Sequence, residues 1–244
     1  MSAFYKDIRD LLALQSIRYE SERYGPSNYS IYMNKDYGNV KGYTFSLTKR
    51  YDPRTKTSAF VDYTYQITEG NSVNSGSFYY NALSGEEEEK RIVPLSWDQR
   101  HIFNTNVSIG DPGNWNIGII SKLSSGWPYT PNIPNANYVP QPNSGRKPLQ
   151  WRVDMRIHKN FILGKYNYIL YAKIYNLLDR RNERYVFNDT GRAGYTYVFQ
   201  STQETQGFKK HYGEPGVHQW SEYQVRPHYY TPPRSINIGL SLDF

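Results

Sequence analysis

The sequence predicts an all-β chain, an antiparallel up-and-down transmembrane β-barrel wall of about eight strands. Three observations carry this. First, apolar and polar residues alternate in segment after segment, and helix signals are almost absent. Second, the strands run to about 10–14 residues, the length a tilted membrane-spanning strand needs, where soluble strands average about 5–6. Third, tight turns follow the second, fourth and sixth strands, and long polar, aromatic-rich connections follow the first, third, fifth and seventh. Short turns at one rim and long loops at the other are the pattern of a membrane barrel. A soluble sandwich has no reason to gather its long loops at one end.

The closing strand is the clearest. In PRSINIGLSLDF, Pro233 to Phe244, the residues Ile236, Ile238, Leu240, Leu242 and Phe244 hold every second position. Ser235, Asn237, Gly239, Ser241 and Asp243 fill the gaps. Successive side chains on a strand point to opposite faces, so one face is apolar and the other small or polar.

The remaining strands follow in chain order. The first covers about Ser2 to Leu14, with weak alternation. The second, about Tyr29 to Arg50, sets Tyr43, Phe45 and Leu47 against Thr44, Ser46 and Thr48. Asp52-Pro53-Arg54-Thr55 is a turn, since proline presets φ. The third, about Thr57 to Thr68, sets Ala59, Val61, Tyr63, Tyr65 and Ile67 against Ser58, Asp62, Thr64 and Gln66. A polar stretch, Glu69 to Val93, contains the acidic run Glu86 to Glu89. The fourth strand spans about Gln99 to Gly110, and Asp111-Pro112-Gly113-Asn114 turns it into the fifth, about Trp115 to Ser124. A loop rich in Pro, Asn and Gly runs from Ser125 to Pro148. In the sixth strand Trp151, Val153, Met155, Ile157 and Phe161 oppose Arg152, Asp154, Arg156 and His158. Four polar or charged residues in a row do not fit a dry core, so this face is expected to line a wet lumen. Leu163-Gly164-Lys165 is the third turn, followed by the seventh strand, about Tyr166 to Asn176. Leu177 to Pro232 is the last connection; Arg184 to Phe187 and Gly194 to Gln200 read as a further hairpin within it.

Composition agrees. The 244 residues include 25 Tyr, 10 Phe and 5 Trp, and the mean hydropathy is −0.78. Tyrosine has an apolar ring and a wet tip, which suits half-buried strands and lipid–water boundaries. The chain has no cysteine, which excludes disulfides, thiolate metal sites and cysteine nucleophiles. No apolar run approaches the roughly 18 residues of a transmembrane helix. MSAFYKDIRD lacks the layout of a signal peptide, so the chain as written carries no export address. The net charge is +7, but Lys and Arg are scattered without a nucleic-acid module, and no nucleic-acid partner is expected. The five histidines (101, 158, 211, 218 and 228) show no metal-ligand spacing, four adjacent glutamates make no defined cation site, and no cofactor is expected. GxSxG, P-loop and GxGxxG patterns are absent, and no enzymatic activity is expected.

Several segments, in order along nearly the whole chain, resemble the C-terminal half of the barrel of TonB-dependent receptors, the outer-membrane active transporters of Gram-negative bacteria. They are Ala3-Phe4-Tyr5-Lys6-Asp7-Ile8-Arg9-Asp10-Leu11, Asn34-Lys35-Asp36-Tyr37-Gly38-Asn39-Val40-Lys41-Gly42, Leu95-Ser96-Trp97-Asp98-Gln99-Arg100-His101, Ser125-Gly126-Trp127-Pro128-Tyr129-Thr130-Pro131, Tyr175-Asn176-Leu177-Leu178-Asp179-Arg180-Arg181-Asn182, and Pro233-Arg234 with the closing strand. The resemblance implies that residues 1–244 are the C-terminal portion of a larger barrel, of about 22 strands with a plugged lumen. The plug, the segment that contacts TonB and the N-terminal strands would lie outside this chain. It also implies an outer-membrane location, long loops facing outside, and import of a scarce siderophore, vitamin or oligosaccharide.

Partners then follow: outer-membrane lipid, the barrel-assembly machinery, the TonB complex through the N-terminal part, and a small-molecule or oligosaccharide substrate. Ile238, Leu240, Leu242 and Phe244 resemble the C-terminal assembly signal of outer-membrane barrels, an edge that can be captured by β-augmentation. Trp127, Tyr129, Tyr138 and Trp220 are candidate ligand contacts in the loops, although each taken singly fits loop packing better. A self-contained eight-stranded outer-membrane barrel, acting as an adhesin or structural protein, is the alternative.

Overall fold

The computed structural model describes residues 1–21, 23, 25–72, 91–132, 140–197 and 226–243. Among these, eight long strands form one antiparallel meander: β1 (Ser2–Ser21), β2 (Gly25–Asp52), β3 (Thr57–Gly70), β5 (His101–Asp111), β6 (Trp115–Ser124), β9 (Gln150–Leu163), β10 (Tyr166–Tyr175) and β11 (Ser235–Asp243). The short β4 (Val93–Pro94) adds to β3, and β7 (Pro128–Tyr129) pairs with β8 (Gly145–Arg146) apart from the main sheet. The only helical turn among the described residues is the 3-10 segment Pro227–Tyr229. Each long strand pairs with the next in the chain, and β1 and β11 are the two free edges.

Direct cross-strand partners share a face, so the register sorts the side chains. Ile109, Ile117, Ile157, Ala172 and Ile238 form one row across five strands. On the opposite face Ser108, Gly118, Arg156, Lys173 and Asn237 form another. The apolar face is uncovered: Ile236, Ile238, Leu240 and Leu242 are all exposed, Ile238 at 75%. The buried apolar residues are few, among them Ala13, Val40, Leu95 and Val153, and none of these lies on the closing strand. A sheet in water would cover such a face, because burying each Ile or Leu is worth about 1.5–3 kcal/mol.

Lysines on the apolar face avoid its middle. Lys159 Nζ donates to Asn114 Oδ1 in the turn, and Lys49 Nζ donates to Thr55 Oγ1 at 3.0 Å in another turn. Lys41, near the loop end, lies 3.7 Å from Glu69. Long cationic side chains lie along the strand and place the charge at the rim. Aromatic pairs gather at both ends of the same face: Tyr43 stacks on Tyr65 at 5.4 Å near the loops, and Phe161 on Tyr168 at 5.5 Å near the turns.

All three predicted turns form. Asn114 N donates to Asp111 O at 2.9 Å, and Lys56 N donates to Asp52 O at 2.7 Å. The two-residue link Gly164-Lys165 needs a positive φ at its first position, and Gly164 has +62°. The connection after the first strand differs from expectation. It is no long loop: β1 and β2 stay paired up to Ser21 and Gly25. Hydrophobic residues continue at Leu14, Ile17, Tyr29 and Ile31, and Tyr19 meets Tyr29 edge-on at 5.6 Å across the ladder. Because β3 stops at Gly70, opposite Gly38, this hairpin projects beyond the sheet. Its free part, from Leu11 to Ser21, reaches roughly 30 Å.

Candidate functional site

The connections from β3 to β5, β6 to β9 and β10 to β11 leave the same end of the sheet, and polar latches tie them together. The tightest is at Asp98, which is fully buried. Its carboxylate accepts from Thr68 N at 2.8 Å, from Arg100 Nε at 2.8 Å and from Arg146 Nη2. Arg146 Nη1 also donates to Asp98 O at 2.9 Å. A turn with Asp98 N on Leu95 O, and Leu95 N on Thr68 O, fixes the approach. Next along the chain, Gln99 Nε2 donates to Ser124 Oγ and Ser125 O at 3.0 and 3.1 Å. The predicted fourth strand therefore begins two residues late, at His101, because Gln99 and Arg100 serve the loops.

The second loop folds back on itself. Lys147 N donates to Trp127 O at 3.0 Å, and β7 pairs with β8. The backbones meet so closely at Gly126 that an added Cβ would lie 1.8 Å from Lys147 O. Gly126→Ala is expected to destabilise this loop by about 1–3 kcal/mol, read as faster protease cleavage between β7 and β8 with the strands intact. Asn143, buried, donates its Nδ2 to Pro94 O at 2.8 Å and its backbone N to Thr130 Oγ1 at 3.0 Å.

The third loop is closed by side-chain amides. Asn182 exchanges two bonds with the Trp151 backbone, both 2.9 Å, and Asn176 Nδ2 donates to Arg180 O and Pro232 O, both at 3.1 Å. Glu183 accepts from Arg192 Nη2 at 2.7 Å and from Ala193 N at 2.5 Å. The hairpin predicted over Arg184 to Phe187 and Gly194 to Gln200 does not form within the described residues. Instead Gly191 N donates to Phe187 O at 2.8 Å and Phe187 N to Arg192 O at 2.9 Å, a compact turn held by the Glu183 carboxylate. Residues 198–200 lie outside the described residues.

Lys147 Nζ reaches the third loop, donating to Arg184 O at 3.1 Å with the Tyr185 ring 5.8 Å away. Burial lowers its ammonium below the usual lysine range. Between that lowered value and the ordinary one near 10.4, the unfolded loop binds more protons than the folded one, so stability rises with pH. Protease protection of the loop is therefore expected to increase with pH through this window in the native chain, and to be flat there in Lys147→Gln.

On the polar face of the sheet Arg152, Asp154, Arg156 and His158 project from β9 beside Lys122, Lys173 and Tyr171. Asp154 Oδ1 accepts from Arg152 Nε and from Asn176 N, both at 2.8 Å. Farther along, Asp62 accepts from Ser46 Oγ at 3.0 Å. This is a hydrogen-bonding surface with a cationic centre. Among the described residues no group of His, Asp and Glu is arranged to hold a metal ion, and no helix is long and apolar enough to cross a membrane.

No protein-family model and no curated protein matches the chain. Among solved structures, the outer membrane transporter YddB from Escherichia coli aligns over 73% of this chain with a TM-score of 0.55 at 13% identity. The fold is that of an outer-membrane barrel wall. This chain covers 26% of the transporter's length. The eight-strand meander thus matches part of a longer wall, and within the described residues it does not close on itself.

Set on this wall, the sequence-predicted residues separate. Ile238, Leu240 and Leu242 lie together on the apolar face of the edge strand β11, and Phe244 lies outside the described residues. Arg152, Asp154, Arg156 and His158 lie together on the polar face. Trp127 is exposed at the loop rim. Tyr129 turns inward against Gly145 and Gly191, and its hydroxyl is pushed up in pKa by burial and then by Asp189. Tyr138, Trp220 and Glu86 to Glu89 lie outside the described residues. The latch residues Asp98, Arg146, Asn182 and Glu183 had no assigned role from sequence. The available signal was that Asp98 and Asn182 fall in the segments with the strongest family resemblance.

Proposed function

We propose that this chain is the C-terminal part of the barrel of a TonB-dependent receptor, an outer-membrane importer of a scarce siderophore, vitamin or oligosaccharide, with no enzymatic role. The observation that carries the proposal is the division of one sheet into an uncovered apolar face and a cation-bearing polar face, with every long loop latched at one end. In this reading the apolar face meets outer-membrane lipid, with its aromatic ends at the two interfaces. Arg152, Asp154, Arg156 and His158 face the lumen. Trp127, Tyr129, Tyr138 and Trp220 belong to the outer loops that meet substrate. Ile238, Leu240, Leu242 and Phe244 present the edge taken up by the barrel-assembly machinery, and TonB acts through a part of the receptor beyond this chain. The likeness in fold to an outer-membrane transporter supports the reading, as does the ordered set of resembling segments. The alternative, a closed eight-stranded adhesin, is less well supported because β1 and β11 are unpaired with each other.

The test is an epitope tag inserted between residues 72 and 91 at the native locus, which leaves the closing strand unaltered. Outer-membrane fractionation and blotting are expected to find the chain within a barrel larger than its own 28.6 kDa, and deleting TonB should abolish substrate uptake while leaving membrane assembly intact. A heat-modifiable 28.6 kDa barrel acting alone, or uptake indifferent to TonB, would contradict it.

A further inference from the structure

We infer that the loop end of the wall carries a headgroup site for a phosphorylated glycolipid of the outer leaflet, built on Lys147, Arg184 and Tyr185. Lys147, Leu149 and Trp151 are alternate residues leading into β9, and the register places Trp151 on the apolar face beside Leu123. Trp151 Nε1 donates to Ser121 Oγ on that face at 3.0 Å, and both Trp151 and Leu149 are exposed. At the top of this stripe the Lys147 ammonium lies 5.8 Å from the Tyr185 ring. The Arg184 guanidinium lies 5.5 Å from the same ring. Arg184 and Tyr185 come together because the backbone N of each donates to Tyr229 O, at 2.7 and 3.1 Å, a bulge in which two residues oppose one. Apolar surface, aromatic ring and cations thus follow one another along one side of the wall.

The positive charge of this stripe is unanswered. Glu183, the adjacent carboxylate, is taken up by Arg192 and Ala193 N. Among the described residues neither Lys147 nor Arg184 has a carboxylate partner. Lys147 Nζ makes one hydrogen bond, to Arg184 O, and keeps further donors free. The exposed Arg184 guanidinium donates no hydrogen bond within the described residues. By contrast Lys41, at the same end of the sheet on β2, is met by Glu69. Beside the site the Tyr229 ring lies 5.9 Å from that of Tyr185 and carries the Arg226 guanidinium at 5.2 Å, a further cation without a carboxylate. A half-exposed tyrosine flanked by cations is the chemistry of a membrane interface, where the ring sits at the boundary and the cations reach phosphates. A free phosphate would need the cations alone. Continuity with the uncovered apolar face below, through Leu149 and Trp151, assigns the phosphate to a lipid whose acyl chains lie along that face.

The inference rests on the reading that the apolar face meets lipid, and is independent of import and of TonB. Diphosphoryl lipid A is the probe, measured by native mass spectrometry on the full chain folded in detergent. Its dephosphorylated form and inositol hexakisphosphate are the controls, the first lacking phosphate and the second lacking acyl chains. The native chain is expected to retain diphosphoryl lipid A saturably, about tenfold or more tighter than the dephosphorylated form, and to ignore inositol hexakisphosphate. Lys147→Gln and Arg184→Gln should each weaken retention by about fivefold, and Lys165→Gln, at the opposite rim, should leave it unchanged. Arg184→Gln keeps the test sharp if Lys147→Gln loosens its loop, since the Arg184 side chain holds no hydrogen bond among the described residues to lose. Equal retention of the two lipid forms, retention unchanged in both glutamine variants, or inositol hexakisphosphate held as tightly as the lipid would overturn the inference. Insertion into phosphatidylcholine vesicles, which hold no lipid A, reads the underlying lipid contact separately. A chain that inserts but shows no preference for the phosphorylated lipid loses the site alone, and a chain that fails to insert loses the lipid-facing reading and the site with it.

Discussion

Asp98→Ala is expected to cost about 3 kcal/mol and to release the loop between β6 and β9. Removing one partner of a buried ion pair costs about 3–5 kcal/mol, because the other charge is left without an answer. The low end applies here, since Arg100 and Arg146 are 28% and 31% exposed and water can reach them. The substitution also strips Thr68 N, in a fully buried residue, of its acceptor. Asp98→Asn keeps an oxygen for Thr68 and loses the charge, so its cost should be intermediate. Limited proteolysis of the folded barrel reads the effect: cleavage after Arg146 or Lys147 should accelerate in Asp98→Ala, and urea should unfold the variant at a lower midpoint. Loop protection equal to that of the native chain would show that the buried carboxylate is no latch.

Ile238→Arg is expected to block stable membrane assembly, whereas Asn237→Arg, one residue away, should be tolerated. The two positions differ only in the face they occupy. Ile238 continues the row through Ala172, Ile157 and Ile117, and Asn237 continues the row through Lys173 and Arg156. A charged residue facing lipid costs about 2–4 kcal/mol near the middle of the bilayer. On the opposite face the same charge stays hydrated. Folding into lipid vesicles, followed by urea titration, separates the cases. Equal tolerance at both positions would mean that neither face meets lipid.

The long strands were legible in the sequence because a period of two is local. Ile236 to Leu242 declares its apolar face within seven residues, and the register later matches it to Ala172 and Ile157. Turns were legible for the same reason: Pro53 and Gly164 act through their own φ. The first hairpin was misread because Ile17 and Tyr29 continue the ladder through a stretch whose polar residues look like loop. The latches could not be read at all. Asp98 finds Arg146 48 residues later, and Trp151 finds Asn182 31 residues later, pairings that only the closed loops create. Tyr129 illustrates the limit on the candidate site. Its ring type suggested ligand stacking, but its surroundings, Gly145 and Gly191, make it a packing residue between two loops.

The central claim is that one sheet face meets lipid and the other meets water. The native chain contains no cysteine, so single cysteines can be placed one at a time from Ser235 to Leu242 and labelled with an environment-sensitive fluorophore in lipid vesicles. The labels at 236, 238, 240 and 242 should be quenched by doxyl groups on lipid chains, and those at 235, 237, 239 and 241 by aqueous iodide. Quenching without a period of two, or with the two quenchers exchanged, would contradict the account.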